Sequence, residues 1–172
     1  MRTSKTANGT VHNYIVDGTT IVQEGWGNNR INFLTDESGR YYGFFTSNIS
    51  SPNSRTYYYY IYNAQGDVIS IANSVGAIVA KYIYDAYGNP LKTTDGSGTN
   101  VASNATHIAN VSPIRYRGYY FDRETGMYYC QSRYYDPLVG RWINADGQIN
   151  TSQGVLGSNM FTYCNNNPVK YL

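Results

Sequence analysis

The chain has 172 residues, 41% of them hydrophobic, and a formal net charge of +2. That length suits one domain, and so small a charge argues against a nucleic-acid partner. No apolar run approaches the ~20 residues of a membrane-spanning helix, and two cysteines cannot build a disulfide framework.

Aromatic content points to the fold class: 20 Tyr stand against 5 Phe, 2 Trp and five Leu. A dry core draws on Leu, Ile, Val and Phe, whereas a Tyr hydroxyl needs a partner or water. Tyr, Ile, Val and Thr suit a pleated, half-buried sheet, and 17 Gly with many Asn and Asp imply frequent turns. The expectation is an all-β chain of antiparallel hairpins whose tyrosines lie on half-wet faces.

In chain order, Tyr14-Ile15-Val16-Asp17-Gly18 before Ile21-Val22 reads as a tight hairpin. Asp36 to Gly39 marks a second turn, between Phe33-Leu34 and Tyr41-Tyr42. Residues 60–69 (YIYNAQGDVI) and 82–91 (YIYDAYGNPL) then repeat at a spacing of 22. In each unit an Asx residue, Asn63 or Asp85, starts a turn by accepting from its own backbone. Gly66 or Gly88 closes it at positive φ, which glycine adopts without steric cost. Residues 92–113 are polar and read as a long surface loop, partly disordered. Further on, YFDRETGMY (120–128) and YYDPLVGRW (134–142) align at a spacing of 14. That register places Asp122 with Asp136 and Gly126 with Gly140, and it puts Pro137 at the second position of a type I turn. Beyond Gly147 the alternation fades into an irregular tail, with a short helix or strand over Asn159–Asn165.

These motifs resemble a known family. The run Arg115-Tyr116-Arg117-Gly118-Tyr119-Tyr120-Phe121-Asp122, with Glu124-Thr125-Gly126-Met127-Tyr128-Tyr129, is similar to the Rhs repeat-associated core. So are Ser132-Arg133-Tyr134-Tyr135-Asp136-Pro137, Gly140-Arg141-Trp142 and the ending Tyr163-Cys164-Asn165-Asn166-Asn167-Pro168-Val169. The repeats at Asn63–Asp67 and Tyr84–Asn89 look like YD repeats. The resemblance divides the chain into degenerate YD-type hairpins (1–56), YD repeats (57–91), a polar linker (92–113) and the repeat-associated core (114–172). It implies part of a spiralling single-layer sheet, a β-shell that in full-length relatives encloses a C-terminal toxin. The implied partners are the remainder of that shell and its toxin, and the implied location of the parent is secreted or cell-surface. The N-terminus, MRTSKTANGTVHNY, has no apolar h-region, so its Met reads as internal to a longer frame or as the start of a truncated gene.

Catalysis is not expected. Many such shells cleave themselves at Pro, four residues, then Asp-Pro; here Pro168 is followed by four residues and the sequence stops, before that Asp. Asp146 occupies the place of the family's upstream aspartate, but Gly147 follows where Pro is usual. Two carboxylates share the proton work in such chemistry, so Asp146 reads as a turn or capping residue and at most a remnant of that site. Asp122 and Asp136 look like paired catalytic carboxylates only until their repeat is recognised as two turns. His12 and His107 lack ligand-like neighbours and read as exposed, with no metal and no cofactor implied. Cys130 and Cys164 read as free, half-buried thiols. The arginines at 115, 117, 123, 133 and 141 sit among nearly balancing carboxylates and suit cross-strand pairs rather than nucleic acid. As an alternative function, the run Tyr57 to Tyr62 offers aromatic faces to cell-surface glycans, with no contact residues assigned and with Tyr58 and Tyr60 as the positions whose change to Ala would test it.

Overall fold

The computed structural model describes residues 2–145 and 160–170. Nine strands form one antiparallel sheet in strictly sequential order. They are β1 (Ser4–Ala7), β2 (Thr10–Asp17), β3 (Thr20–Trp26), β4 (Asn29–Thr35), β5 (Tyr41–Asn48), β6 (Ser51–Tyr62), β7 (Val68–Asn73), β8 (Ile78–Tyr84) and β9 (Pro90–Asp95). A second sheet of four antiparallel strands follows: β10 (Tyr120–Asp122), β11 (Met127–Cys130), β12 (Arg133–Asp136) and β13 (Arg141–Trp142).

One turn design recurs along the first sheet. In the turns starting at Asp36, Asn63, Asn73 and Asp85, the side-chain Oδ1 accepts from the backbone N–H two and four residues on, at 2.8–3.1 Å. Asp95 starts a fifth, accepting from the Ser97 hydroxyl and the Thr99 N–H. Three residues after each Asx stands a glycine at positive φ: Gly39, Gly66, Gly76, Gly88 and Gly98. The sequence reading recognised three of these turns and passed over those at Asn73 and Asp95, whose signal, Asx followed three residues later by Gly, is the same. The β10–β11 and β12–β13 turns of the second sheet are one residue longer. Gly126 and Gly140 donate to the carbonyls of Asp122 and Asp136, both at 2.9 Å.

The polar stretch 92–113 is not a free linker. Its first residues belong to β9, and Thr93, Thr94, Val101 and Ala109 are buried. A short helix, α1 (Ile108–Val111), lies against β8 and β9. The polar side chains that suggested disorder bond the segment down; the Asn110 amide, for example, donates to the Val101 carbonyl at 2.6 Å. In the tail, Thr162 pairs with Arg141 and Cys164–Asn166 make a 3-10 turn; Asp146 lies outside the described residues.

The first sheet curls. Neighbouring strands sit ~4.8 Å apart, so a flat sheet of this size would hold β1 and β9 roughly 40 Å from each other. Yet the single strand β11 reaches both flanks: Tyr129 bonds to Arg2, just before β1, and Tyr128 bonds to Gly88, just before β9. Register shifts that bend strands interrupt the pairings β2–β3, β4–β5 and every pairing from β5 to β9. The nine strands therefore form a curved wall, and the small sheet lies in its concavity.

Candidate functional site: a two-faced tyrosine joint

The Tyr-Tyr doublets of the second sheet explain how it grips the wall. Side chains alternate along a strand, so each doublet supplies one ring to each face. The cross-strand partners Tyr120, Tyr129 and Tyr134 lie on one face, with Asp122; Phe121, Tyr128, Tyr135 and Trp142 lie on the other.

The first face meets the start of the wall through charge. The Asp122 carboxylate, 2% exposed, takes Arg2 Nη1 at 2.5 Å and Lys5 Nζ at 2.6 Å, and Lys5 also reaches Glu124 at 2.9 Å. The Arg2 guanidinium lies over the rings of Tyr14, Tyr120 and Tyr129 at 4.4–4.7 Å, an arrangement that stabilises a desolvated cation. Beside it, Glu24 is buried on β3. One of its oxygens accepts from the Tyr120 hydroxyl at 2.6 Å, and the other lies 2.7 Å from His12 Nδ1. Burial, reinforced by the Glu24 charge, holds the Tyr120 hydroxyl well above the ordinary tyrosine range.

The second face is neutral. Three hydroxyls fan onto three successive carbonyls of the β8–β9 turn: Tyr116 onto Ala86 (2.9 Å), Tyr135 onto Tyr87 (2.7 Å) and Tyr128 onto Gly88 (2.8 Å). Asn89 adds a bond to the Pro137 carbonyl at 2.9 Å. Packing is as close as the bonding. A Cβ on Gly88 would stand 2.6 Å from the Tyr116 ring, and one on Gly140 would stand 2.9 Å from Tyr87. Behind these contacts Tyr128, Tyr135, Trp142 and Tyr163 stack in a cluster, with the Tyr135 and Tyr163 centroids 4.0 Å apart.

Tyrosines also tie hairpin to hairpin inside the wall. Tyr41 donates to the Ile21 carbonyl at 3.2 Å, Tyr62 to the Tyr41 carbonyl at 2.5 Å and Tyr84 to the Val68 carbonyl at 3.0 Å. Among the described residues nine tyrosines are buried and eight half-buried, so the expectation of half-wet rings holds for only part of them. Backbone carbonyls, Ser112 and Glu24 satisfy the hydroxyls that the sequence reading assigned to water.

The remaining expected positions fall as follows. Asn63, Gly66, Asp85 and Gly88 sit in the Asx turns described above; the Gly66 Cβ direction is open, unlike that of Gly88. Asp136, Pro137 and Gly140 form the β12–β13 turn, with Asp136 Oδ1 accepting from Leu138 N–H at 2.9 Å. Asp122 does use its carbonyl for a turn, but its side chain is a buried ion-pair centre, which its place in the repeat does not disclose. The two histidines are half-buried rather than exposed, because each has a polar task. His12 stacks on Trp26 and meets Glu24, and His107 Nδ1 accepts from the Ala109 N–H to cap α1. Both cysteines are free and half-buried, and burial raises both thiols above their ordinary range.

The arginine-rich stretch departs from simple cross-strand pairing. Arg115 is 2% exposed, stacked over Tyr82, and bonded to the Ser112 and Ala109 carbonyls. Arg117 sits 3.6 Å from Asp67. Tyr60 is buried against Ser112, and Tyr58 is half-buried with its ring stacked on Phe44. Sequence reasoning missed Arg2, Lys5 and Glu24. The only signal for Glu24 was a carboxylate sharing a strand face with Trp26. Among the described residues no group of three His, Cys, Asp or Glu could hold a metal ion.

Comparison with known proteins fits this architecture. The RHS Repeat family matches residues 62–99. The tRNA(Glu)-specific nuclease WapA of Bacillus subtilis subsp. natto is 38% identical over 173 residues, an alignment covering 98% of this chain. The chain belongs to the RHS repeat family. It spans 7% of that relative's length. Toxin subunit YenC2 of Yersinia entomophaga is 33% identical over 96 residues, covering 55% of this chain and 8% of that protein. The crystal structure of TcdB2-TccC3 shares the fold, with a TM-score of 0.67 at 22% identity over 98% of this chain and 7% of that one. The chain is thus an antiparallel all-β segment of the kind found within much longer RHS-repeat proteins.

Proposed function

We propose that this chain is a structural, non-catalytic wall segment of a long secreted or surface RHS-repeat protein, whose shell encloses and delivers a C-terminal toxin. The observation that carries the reading is the curled, strictly sequential nine-stranded wall closed onto an internal four-stranded sheet. Such a wall extends by adding hairpins at its edge, and the joint fixes its curvature at this point. The WapA relative is named a tRNA nuclease and the YenC2 relative a toxin subunit, which supports a toxin as the enclosed partner. Replacing the aligned segment of WapA with this chain tests the reading. The expected chimaera keeps its downstream region as resistant to protease as in WapA itself. A downstream region digested as fast as the free polypeptide would contradict it.

A further inference from the structure

Non-glycine residues rarely take a positive φ, because the Cβ then crowds the backbone, and they persist there only where surrounding contacts hold them. Five described residues do so, and three of them belong to one contact: Arg117 (φ 55°), Cys164 (46°) and Asn166 (60°). Arg117 lies in the 116–118 turn and the other two in the tail.

The tail crosses the turns of both YD repeats. Tyr163 and Pro168 are buried, and Tyr163 stacks on Tyr135. Between these anchors the Asn166 carbonyl accepts from the hydroxyl of Tyr87, in the second repeat's turn, at 3.2 Å. Arg117 supplies the last tie. It gives Nη2 to the Pro168 carbonyl at 2.7 Å and Nη1 to the carbonyl of Gln65, in the first repeat's turn, at 3.2 Å. Its backbone N–H donates to Asp67 Oδ1 at 3.0 Å. One guanidinium thus spans wall and tail, with each Nη on a different partner.

Several backbone bonds of the tail are internal to it. The Asn166 N–H donates to the Tyr163 carbonyl, the Asn167 N–H to that of Cys164 and the Lys170 N–H to that of Asn167. A piece bonded within itself, tied outward by a few side chains and holding left-handed residues, has the character of a local opening unit. We propose that residues 163–168 form a releasable strap, latched by Arg117, that opens as one unit while both sheets stay folded. On the shell reading above, whatever follows the strap in a full-length parent is tied to the wall at this latch, so the latch sets how firmly it is held.

Amide hydrogen exchange of the full chain, read by mass spectrometry, tests this. Arg117→Gly removes the guanidinium, keeps the backbone N–H that Asp67 accepts, and suits the positive φ. The expected result is exchange about ten-fold faster across residues 163–170, the scale of one charge-assisted hydrogen bond, with strands β1–β9 unchanged. Arg117→Asn, which also tolerates positive φ but is too short to reach Pro168, should match it. Agreement of the two variants separates loss of the guanidinium from added glycine freedom. Wild-type exchange across 163–170 in either variant, or faster exchange in the strands alongside it, would overturn the proposal. The measurement needs this chain alone, so its failure would leave the shell reading untouched.

Discussion

On one face of the four-stranded sheet, Asp122 and Tyr120 meet Arg2, Lys5 and Glu24; on the other, Tyr128 and Tyr135, joined by Tyr116 from the preceding turn, meet three backbone carbonyls. Both faces hold the same curved wall, but they should fail differently. In a buried ionic joint every charge depends on its partner, so losing one member strands the rest. In a neutral joint of hydroxyls and carbonyls each bond is a modest, separate contribution. The ionic face ties down the strand that starts the wall, and the neutral face ties down the turn of a YD repeat. The fold thus anchors one flank with few strong, mutually dependent contacts and the other with several weaker ones.

Asp122→Asn should have the largest effect among single substitutions. It removes the countercharge of Arg2, whose side chain is 9% exposed, and breaking a buried pair costs about 3–5 kcal/mol. The three rings around Arg2 keep the loss near the lower end. Urea unfolding measures it, and a loss below about 1 kcal/mol would mean that the ionic face contributes little.

Gly88→Ala against Gly66→Ala separates joint from turn. Both glycines have positive φ, at 91° and 86°, so both variants carry a left-handed penalty of about 1 kcal/mol. Only the Gly88 variant also drives a methyl into the Tyr116 ring, at a further overpacking cost of about 1–3 kcal/mol. Equal losses would show that the turn, not the joint, sets the constraint.

Tyr128→Phe should have the smallest effect. It removes one bond and leaves the Gly88 carbonyl short of a donor, at about 1–2 kcal/mol. Combined with Asp122→Asn it should be close to additive, since the two residues serve opposite faces.

Much of this was legible in the sequence. Alternation, the Asx-and-Gly turns and the 22-residue repeat specify antiparallel hairpins, because those signals are local. The same-face grouping of Tyr120, Tyr129 and Tyr134 also follows from strand parity once the hairpins are known. What sequence could not supply was the third dimension. Gly66 and Gly88 occupy the same place in the repeat, yet one Cβ direction is open and the other is blocked by Tyr116. Arg2 and Lys5 look like ordinary polar residues near a chain start, and only the curl of the wall brings them to Asp122, 120 and 117 residues away. Tyrosine was read as a half-wet residue because composition does not say whether a hydroxyl will find a carbonyl.

The central claim, that tyrosines with satisfied hydroxyls form the core and its joints, is tested most directly by an alkaline titration followed in near-ultraviolet absorbance. Burial raises the hydroxyls of Tyr60, Tyr84 and Tyr120 well above the usual ~10, and those of Tyr62 and Tyr119 to about 12. A raised pKa in the folded state contributes stability that is fully present below the unfolded value and is lost as pH rises through the folded one. The account predicts that only part of the 20 tyrosines ionise while the sheets persist. The remainder should ionise above pH ~10 in one cooperative step, together with loss of β-structure. A single smooth ionisation of all of them near pH ~10, with the sheets intact throughout, would contradict it.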